Sequence, residues 1–164
     1  MSFAQWSGHR WLGLGARLYL GQLFALASLH KISDPAAFAL DVATYQFLPL
    51  GVVNLFAITV PWVEVLVGVL LLLGLWVRGS AWVVSALMVA FIVALAWALH
   101  LELDMSCGCF ASQSAAGEDP ISGWTILRDA GWLALGLYVA CFDVRPIGLR
   151  SFLEKRCWMQ GEQR

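Results

Sequence analysis

The sequence predicts an all-α membrane protein, a four-transmembrane-helix bundle with a short interfacial helix between spans 1 and 2. Three observations predict it: a composition too apolar for water, four apolar runs each long enough to cross a bilayer, and Lys and Arg gathered on one side of the resulting topology. Of 164 residues, 60% are hydrophobic and 13% charged, and mean hydropathy is +0.75, whereas soluble domains are about half apolar and about a quarter charged. Four spans of roughly 20 residues take up about half of the chain, which leaves a single membrane domain over 1–164 with no separate soluble domain. The lipid bilayer is therefore the first partner. Formal net charge is −1 and no basic block tracks a phosphate backbone, so nucleic acid is not an expected partner.

The first span, about 11–30, is an apolar run from Trp11 to Leu29 interrupted by Arg17 and Gln22, and it stops at His30-Lys31. A rival reading makes Arg10 and Arg17 a signal-peptide n-region, Leu18 to Ala27 its h-region, and Ala25-Leu26-Ala27 a cleavage site. Asp34-Pro35 then supplies an N-cap followed by proline at the first helical position, opening a segment to about Phe47. Phe38, Val42 and Tyr45 share one helical face there. Too short to span, and carrying Asp41 and Gln46, this helix is expected in the interface or tucked back against the bundle. Pro49-Leu50-Gly51 ends it. The second span, about 52–77, contains Glu64 and also Pro61, where a kink is expected. Arg78-Gly79-Ser80 reads as a tight turn, which makes the third span, about 81–101, an antiparallel neighbour of the second. The long polar connection 102–122 holds Cys107, Gly108 and Cys109 and closes with Asp119-Pro120, another cap and proline. The fourth span is about 123–142.

Cytoplasmic connections carry the excess of Lys and Arg. Arg10, Arg78, Arg145, Arg150, Lys155, Arg156 and Arg164 fall on one side of this topology, with Lys31 alone among basic residues in the two loops opposite. Both termini are thus expected in the cytoplasm of a bacterial inner membrane, with the Cys-Gly-Cys loop outside. Signal cleavage would leave the other three spans oriented the same way.

Cys107 and Cys109 are the cysteines placed where disulfides persist. A bond between them closes a very small ring. Such a ring is strained and reducible, and Gly108 permits the backbone angles that closure needs. Labile, exposed pairs are the catalytic ones, whereas a bridge over one residue removes little chain entropy and is a poor staple. A soft-metal site remains open, with His100, Glu102, Asp104 and Met105 as further ligands, as does an inert bridge. His100, close before the pair, is also placed to lower a thiol pKa, although a His at a helix end is commonly just a polar boundary. Cys141 reads as a small apolar helix residue and Cys157 as a reduced tail thiol.

Ionisable groups inside spans are costly, so each is a candidate site residue. Glu64 is expected about ten residues into its helix, about 15 Å deep, and Arg128 and Asp129 one to two turns into theirs, with His30 and Lys31 at the end of the first span. Glu64 accepting from Arg128 or Lys31 would offset the burial of both, and Gly68 would allow close helix approach. The cluster reads either as a bundle-locking ion pair or as a catalytic or quinone-contacting group. Of the nine tryptophans, Trp6, Trp11, Trp76, Trp82, Trp124 and Trp158 lie near span ends, where aromatic belts form. Trp62, Trp97 and Trp132 are deeper and are expected to pack within the bundle, where any of them has a face to stack on a quinone ring. His9 reads as interfacial.

Together, Ser28-Leu29-His30-Lys31-Ile32-Ser33-Asp34-Pro35 with Phe38, the stretch Tyr45 to Pro49, Pro61-Trp62-Val63-Glu64 with Gly68, Cys107-Gly108-Cys109-Phe110, and Arg128-Asp129 make the chain resemble the MauE branch of the DoxX-like membrane proteins. Ala111 stands where the family's pattern has Gly. The resemblance covers most of the chain and implies a four-helix membrane bundle associated with periplasmic thiol chemistry. Methylamine-utilisation members are linked with a thioredoxin-like partner in maturing the disulfide-rich small subunit of methylamine dehydrogenase. Cys107 and Cys109 carry over as the redox pair, and Lys31, Glu64 and Arg128 as motif positions.

The expected function is a thiol-disulfide redox component, leaning towards an oxidoreductase, that exchanges disulfides or electrons with a periplasmic thioredoxin-fold or disulfide-containing protein through Cys107 and Cys109. If electrons pass into the membrane, the expected acceptor is a quinone near Glu64, Arg128 and the deep tryptophans. Two alternatives use the same sequence differently: a metal-binding or metal-passing protein with the two thiolates as ligands, and a non-catalytic assembly scaffold.

Overall fold

Helices follow one another in chain order: α1 (Gly8–Ser33), α2 (Pro35–Thr44), α3 (Leu50–Leu73), α4 (Val77–His100) and α5 (Gly123–Phe142). They belong to a computed structural model that describes residues 8–45, 49–101 and 123–143, and all regular structure among these is helical. Helix is the form in which a single segment meets its own backbone hydrogen bonds where no water reaches. Four of the helices are long and apolar enough to cross a membrane, over Trp11–Ser33, Gly51–Leu73, Val77–His100 and Trp124–Phe142.

The main packing is of α1 on α3 and of α4 on α5, and thinner seams between α1 and α5 and between α3 and α4 close the ring. Leu20, Phe24, Val67, Leu71, Val84, Met88 and Val139 fill the centre. The outward faces are equally apolar: Leu55, Ile58, Trp62 and Leu66 on α3, and Trp82, Val89 and Val93 on α4, are exposed. Water would not tolerate so continuous an apolar exterior, whereas lipid solvates it.

The capping expected from Asp34-Pro35 is present, with Asp34 Oδ1 accepting from the Ala37 amide at 3.0 Å and Pro35 at the first helical position. Phe38, Val42 and Tyr45 are all buried. Phe38 and Val42 pack on Val53 and Ala57, so α2 takes the tucked-back placement and covers the first half of α3.

The turn between the second and third spans is not at Arg78-Gly79-Ser80. Those residues lie inside α4, and the reversal is at Gly74 to Trp76. Gly74 adopts φ 71°, its amide donating to the Leu71 carbonyl at 3.2 Å while the Leu75 amide reaches Leu70 at 2.9 Å. This is a glycine-terminated helix end, in which the left-handed residue satisfies carbonyls that would otherwise be orphaned. Gly79 serves packing instead: a Cβ there would meet the Trp76 indole at 2.5 Å. Gly74→Ala, which forces a side chain into the left-handed region, is expected to cost about 1–2 kcal/mol. Thermal loss of helical circular dichroism in detergent measures this, and an unchanged midpoint would refute it.

Candidate functional site: an ionic layer inside the bundle

Lys31 and Glu64 meet in the interior. Lys31 Nζ donates to both carboxylate oxygens of Glu64, at 2.8 and 2.9 Å, with both side chains nearly or wholly buried. The ammonium also lies 5.1 Å from the Phe38 ring centroid and 5.0 Å from that of Phe91, a cation–π arrangement strengthened by exclusion of water. The pair therefore ties together α1, α2, α3 and α4. Of the two partners expected for Glu64, the structure selects Lys31.

Its depth also differs from expectation. Because α3 begins at Leu50, Glu64 lies about 21 Å along its helix, past the midpoint of 24 residues and deeper than the expected 15 Å. Lys31 is near the last residue of α1, yet it reaches this level because α1 stops alongside the middle of α3 and α2 covers the remainder. The approach of α1 to α3 is set by glycine. A Cβ on Gly68 would lie 3.0 Å from the Gly21 carbonyl oxygen and 3.1 Å from the Ala25 nitrogen, so the two backbones touch directly.

Arg128 and Asp129 form a second pair, one to two turns into α5 as expected, but with each other instead of with Glu64. Arg128 Nε donates to Asp129 Oδ1 at 3.2 Å. The Asp129 side chain is fully buried, whereas that of Arg128 is 33% exposed and its guanidinium lies 4.7 Å from the Trp132 ring centroid. Among the described residues, Arg128 Nη2 and Asp129 Oδ2 are buried with no hydrogen-bond partner. Helices α4 and α5 run antiparallel with Gly136 against Ser85. Asp129 is two turns back from Gly136 and Phe91 a little under two turns on from Ser85, about 10 Å in each case. Asp129 thus shares the level of Phe91, and hence of the Lys31–Glu64 pair.

Sequence reasoning missed two contacts. Arg17 Nη1 approaches Asp143 Oδ2 at 3.9 Å, joining α1 to the end of α5, and Arg78 Nε donates to the Ala140 carbonyl at 3.2 Å. A buried Arg inside the first span and an acidic residue just after the last one were the available signal for the former. On the α1/α5 seam, Trp132 Nε1 donates to the Tyr19 hydroxyl at 3.1 Å.

Of the deep tryptophans, only Trp132 packs into a seam. Trp62 and Trp97 are 61% and 44% exposed, which overturns their expected role in packing the bundle: their positions on α3 and α4 fall on the outward stripe. Trp11, Trp76, Trp82 and Trp124, near span ends, are exposed as an aromatic belt requires, and Trp6 and Trp158 lie outside the described residues. His100 is exposed at the last position of α4, its ring tilted against Trp97 at 6.5 Å. Cys141 is an exposed free thiol on α5. Cys107, Cys109, Glu102, Asp104 and Met105 lie outside the described residues, and among the described residues no three His, Cys, Asp or Glu side chains group as metal ligands.

Four apolar spanning helices around a shared ionic layer define a multi-pass membrane protein. Within that class the assignment is specific: the family described as methylamine utilisation protein MauE matches residues 9–142, from the start of α1 to the end of α5, and the chain belongs to it. No curated protein and no solved structure matches the chain.

Proposed function

We propose that this MauE-family protein is a thiol-disulfide redox component of a bacterial inner membrane, with both termini cytoplasmic, that exchanges with an extracytoplasmic thioredoxin-fold or disulfide-containing protein through Cys107 and Cys109. The observation that carries the reading is positional. The connection 102–122 joins the end of α4 to the start of α5, opposite the basic Arg78 end, and it contains a two-cysteine motif with a single glycine between. Family membership supports a role in maturation of a partner enzyme. In the exchange, a thiolate of one protein attacks a disulfide sulfur of the other, a mixed disulfide forms, and the second thiol resolves it. Two electrons and two protons pass from the dithiol that is oxidised to the disulfide that is reduced.

Replacing Cys107 and Cys109 separately by Ala tests this, with non-reducing gels and mass spectrometry for a trapped mixed disulfide and an assay of bound copper and zinc alongside. One of the two variants is expected to accumulate a covalent adduct with an extracytoplasmic protein, and both are expected to lose partner maturation. Thiol-dependent metal without an adduct would support a metal-passing protein instead. Undiminished maturation in both variants would leave only the scaffold.

A further inference from the structure

Polar side chains within membrane spans almost always face a bundle interior, because hydrocarbon offers their hydrogen-bonding groups no partner. Gln22 departs from this. It lies midway along the span Trp11–Ser33, about 16 Å from either end and so at the centre of a hydrocarbon layer about 30 Å thick, yet it is exposed. Leu20 and Phe24, two positions away on either side, are fully buried. Two helical steps turn the chain about 200°, so the Gln22 amide points straight out of the bundle. Among the described residues it makes no hydrogen bond. Other exposed polar side chains of the spans are better placed: Asn54, Arg78 and His100 lie close to helix ends, and the Thr59 and Ser33 hydroxyls donate to the Leu55 and Leu29 carbonyls, each at 2.8 Å.

The face around Gln22 has the pattern of a helix seam. Leu12, Gly15, Tyr19, Gln22, Leu26 and Leu29, spaced alternately three and four residues apart, are all exposed. That spacing keeps one stripe turned towards a partner helix in a left-handed pair. At Gly15, one heptad before Gln22, a Cβ would meet nothing within 4 Å, so a second backbone has room to approach. The chemistry selects the occupant. Copies of one chain enter the membrane in one orientation, so α1 meets α1 in parallel, about a two-fold axis along the membrane normal that sets each residue opposite its counterpart at equal depth. A charged group at that position would repel its own copy, whereas a glutamine amide both donates and accepts and is its own complement. We infer that this chain forms a parallel two-fold dimer through the outward face of α1, in which each Gln22 amide donates to the side-chain carbonyl of Gln22 in the second copy. The dimer is independent of the cysteine chemistry.

Purified full-length protein, labelled at its N-terminus with donor or acceptor dye, is reconstituted in phosphatidylcholine liposomes at falling protein-to-lipid ratio, and energy transfer is measured. The unmodified chain is expected to give transfer that fits a dimer and is lost on dilution with lipid. Gln22→Leu removes two interhelical hydrogen bonds and should raise the dissociation constant about tenfold or more. Its thermal midpoint should be retained, since no contact within the bundle is lost. Gly15→Ile, which blocks the close approach, should weaken the dimer likewise, and Trp62→Phe, on the outward face of α3, should leave it unchanged. A chain that stays monomeric at every ratio overturns the proposal and would assign the face to a different membrane protein. So does a Gln22→Leu variant that dimerises as tightly as its parent.

Discussion

Glu64→Ala is expected to destabilise the bundle by about 3–5 kcal/mol, because it takes from the buried Lys31 ammonium, held between Phe38 and Phe91, the carboxylate that accepts two of its hydrogen bonds. Lys31→Met should cost a similar amount by stranding the carboxylate. The double replacement Lys31→Met/Glu64→Leu removes both charges and refills the space with apolar atoms. Its loss should therefore fall well below the sum of the singles, by at least about 2 kcal/mol, since a buried pair exchanged for apolar side chains is often nearly neutral. Unfolding in mixed micelles of sodium dodecyl sulfate and dodecylmaltoside measures all three. Single variants within about 1 kcal/mol of the parent would show that the pair is not a lock, and strict additivity would show that the two groups act separately.

The second large effect is expected at the contact between α1 and α3. Gly68→Val places branched carbons where Gly21 and Ala25 backbone atoms already stand at 3.0 and 3.1 Å, and backbone cannot yield as a side-chain end can. The helices must separate, at a cost of about 1–3 kcal/mol for overpacking alone. The consequence extends one turn along α3 to Glu64, whose bonds to Lys31 span the same seam at 2.8 and 2.9 Å. Separation lengthens these bonds, so the total loss in Gly68→Val should exceed the packing cost. The same substitution made in the Lys31→Met/Glu64→Leu background should cost less, because no ion pair remains to stretch. An equal cost in both backgrounds, by the same unfolding assay, would show that the glycine contact and the ion pair are independent.

The sequence by itself determined what depends on local pattern and on transfer into lipid. The four spans, the capped start of α2 at Asp34-Pro35, and the buried face Phe38, Val42, Tyr45 were all legible, because helix periodicity and the cost of exposing backbone to hydrocarbon act within a segment. Family likeness was legible for the same chain of motifs, and the match over residues 9–142 shows it. The position of the α3/α4 reversal was misread because two glycines, Gly74 and Gly79, compete for it, and only the three-dimensional fold shows that one carries the left-handed turn and the other receives an indole. Tertiary structure alone decided which charges pair: Glu64 with Lys31, Arg128 with its own neighbour Asp129, and Arg17 with Asp143. Sequence names the charged residues and their approximate depth, but partner choice depends on which helix faces which, and here that follows from how closely Gly21 and Gly68 let α1 approach α3. Helix rotation and separation are collective quantities of the packed bundle, and no single segment encodes them.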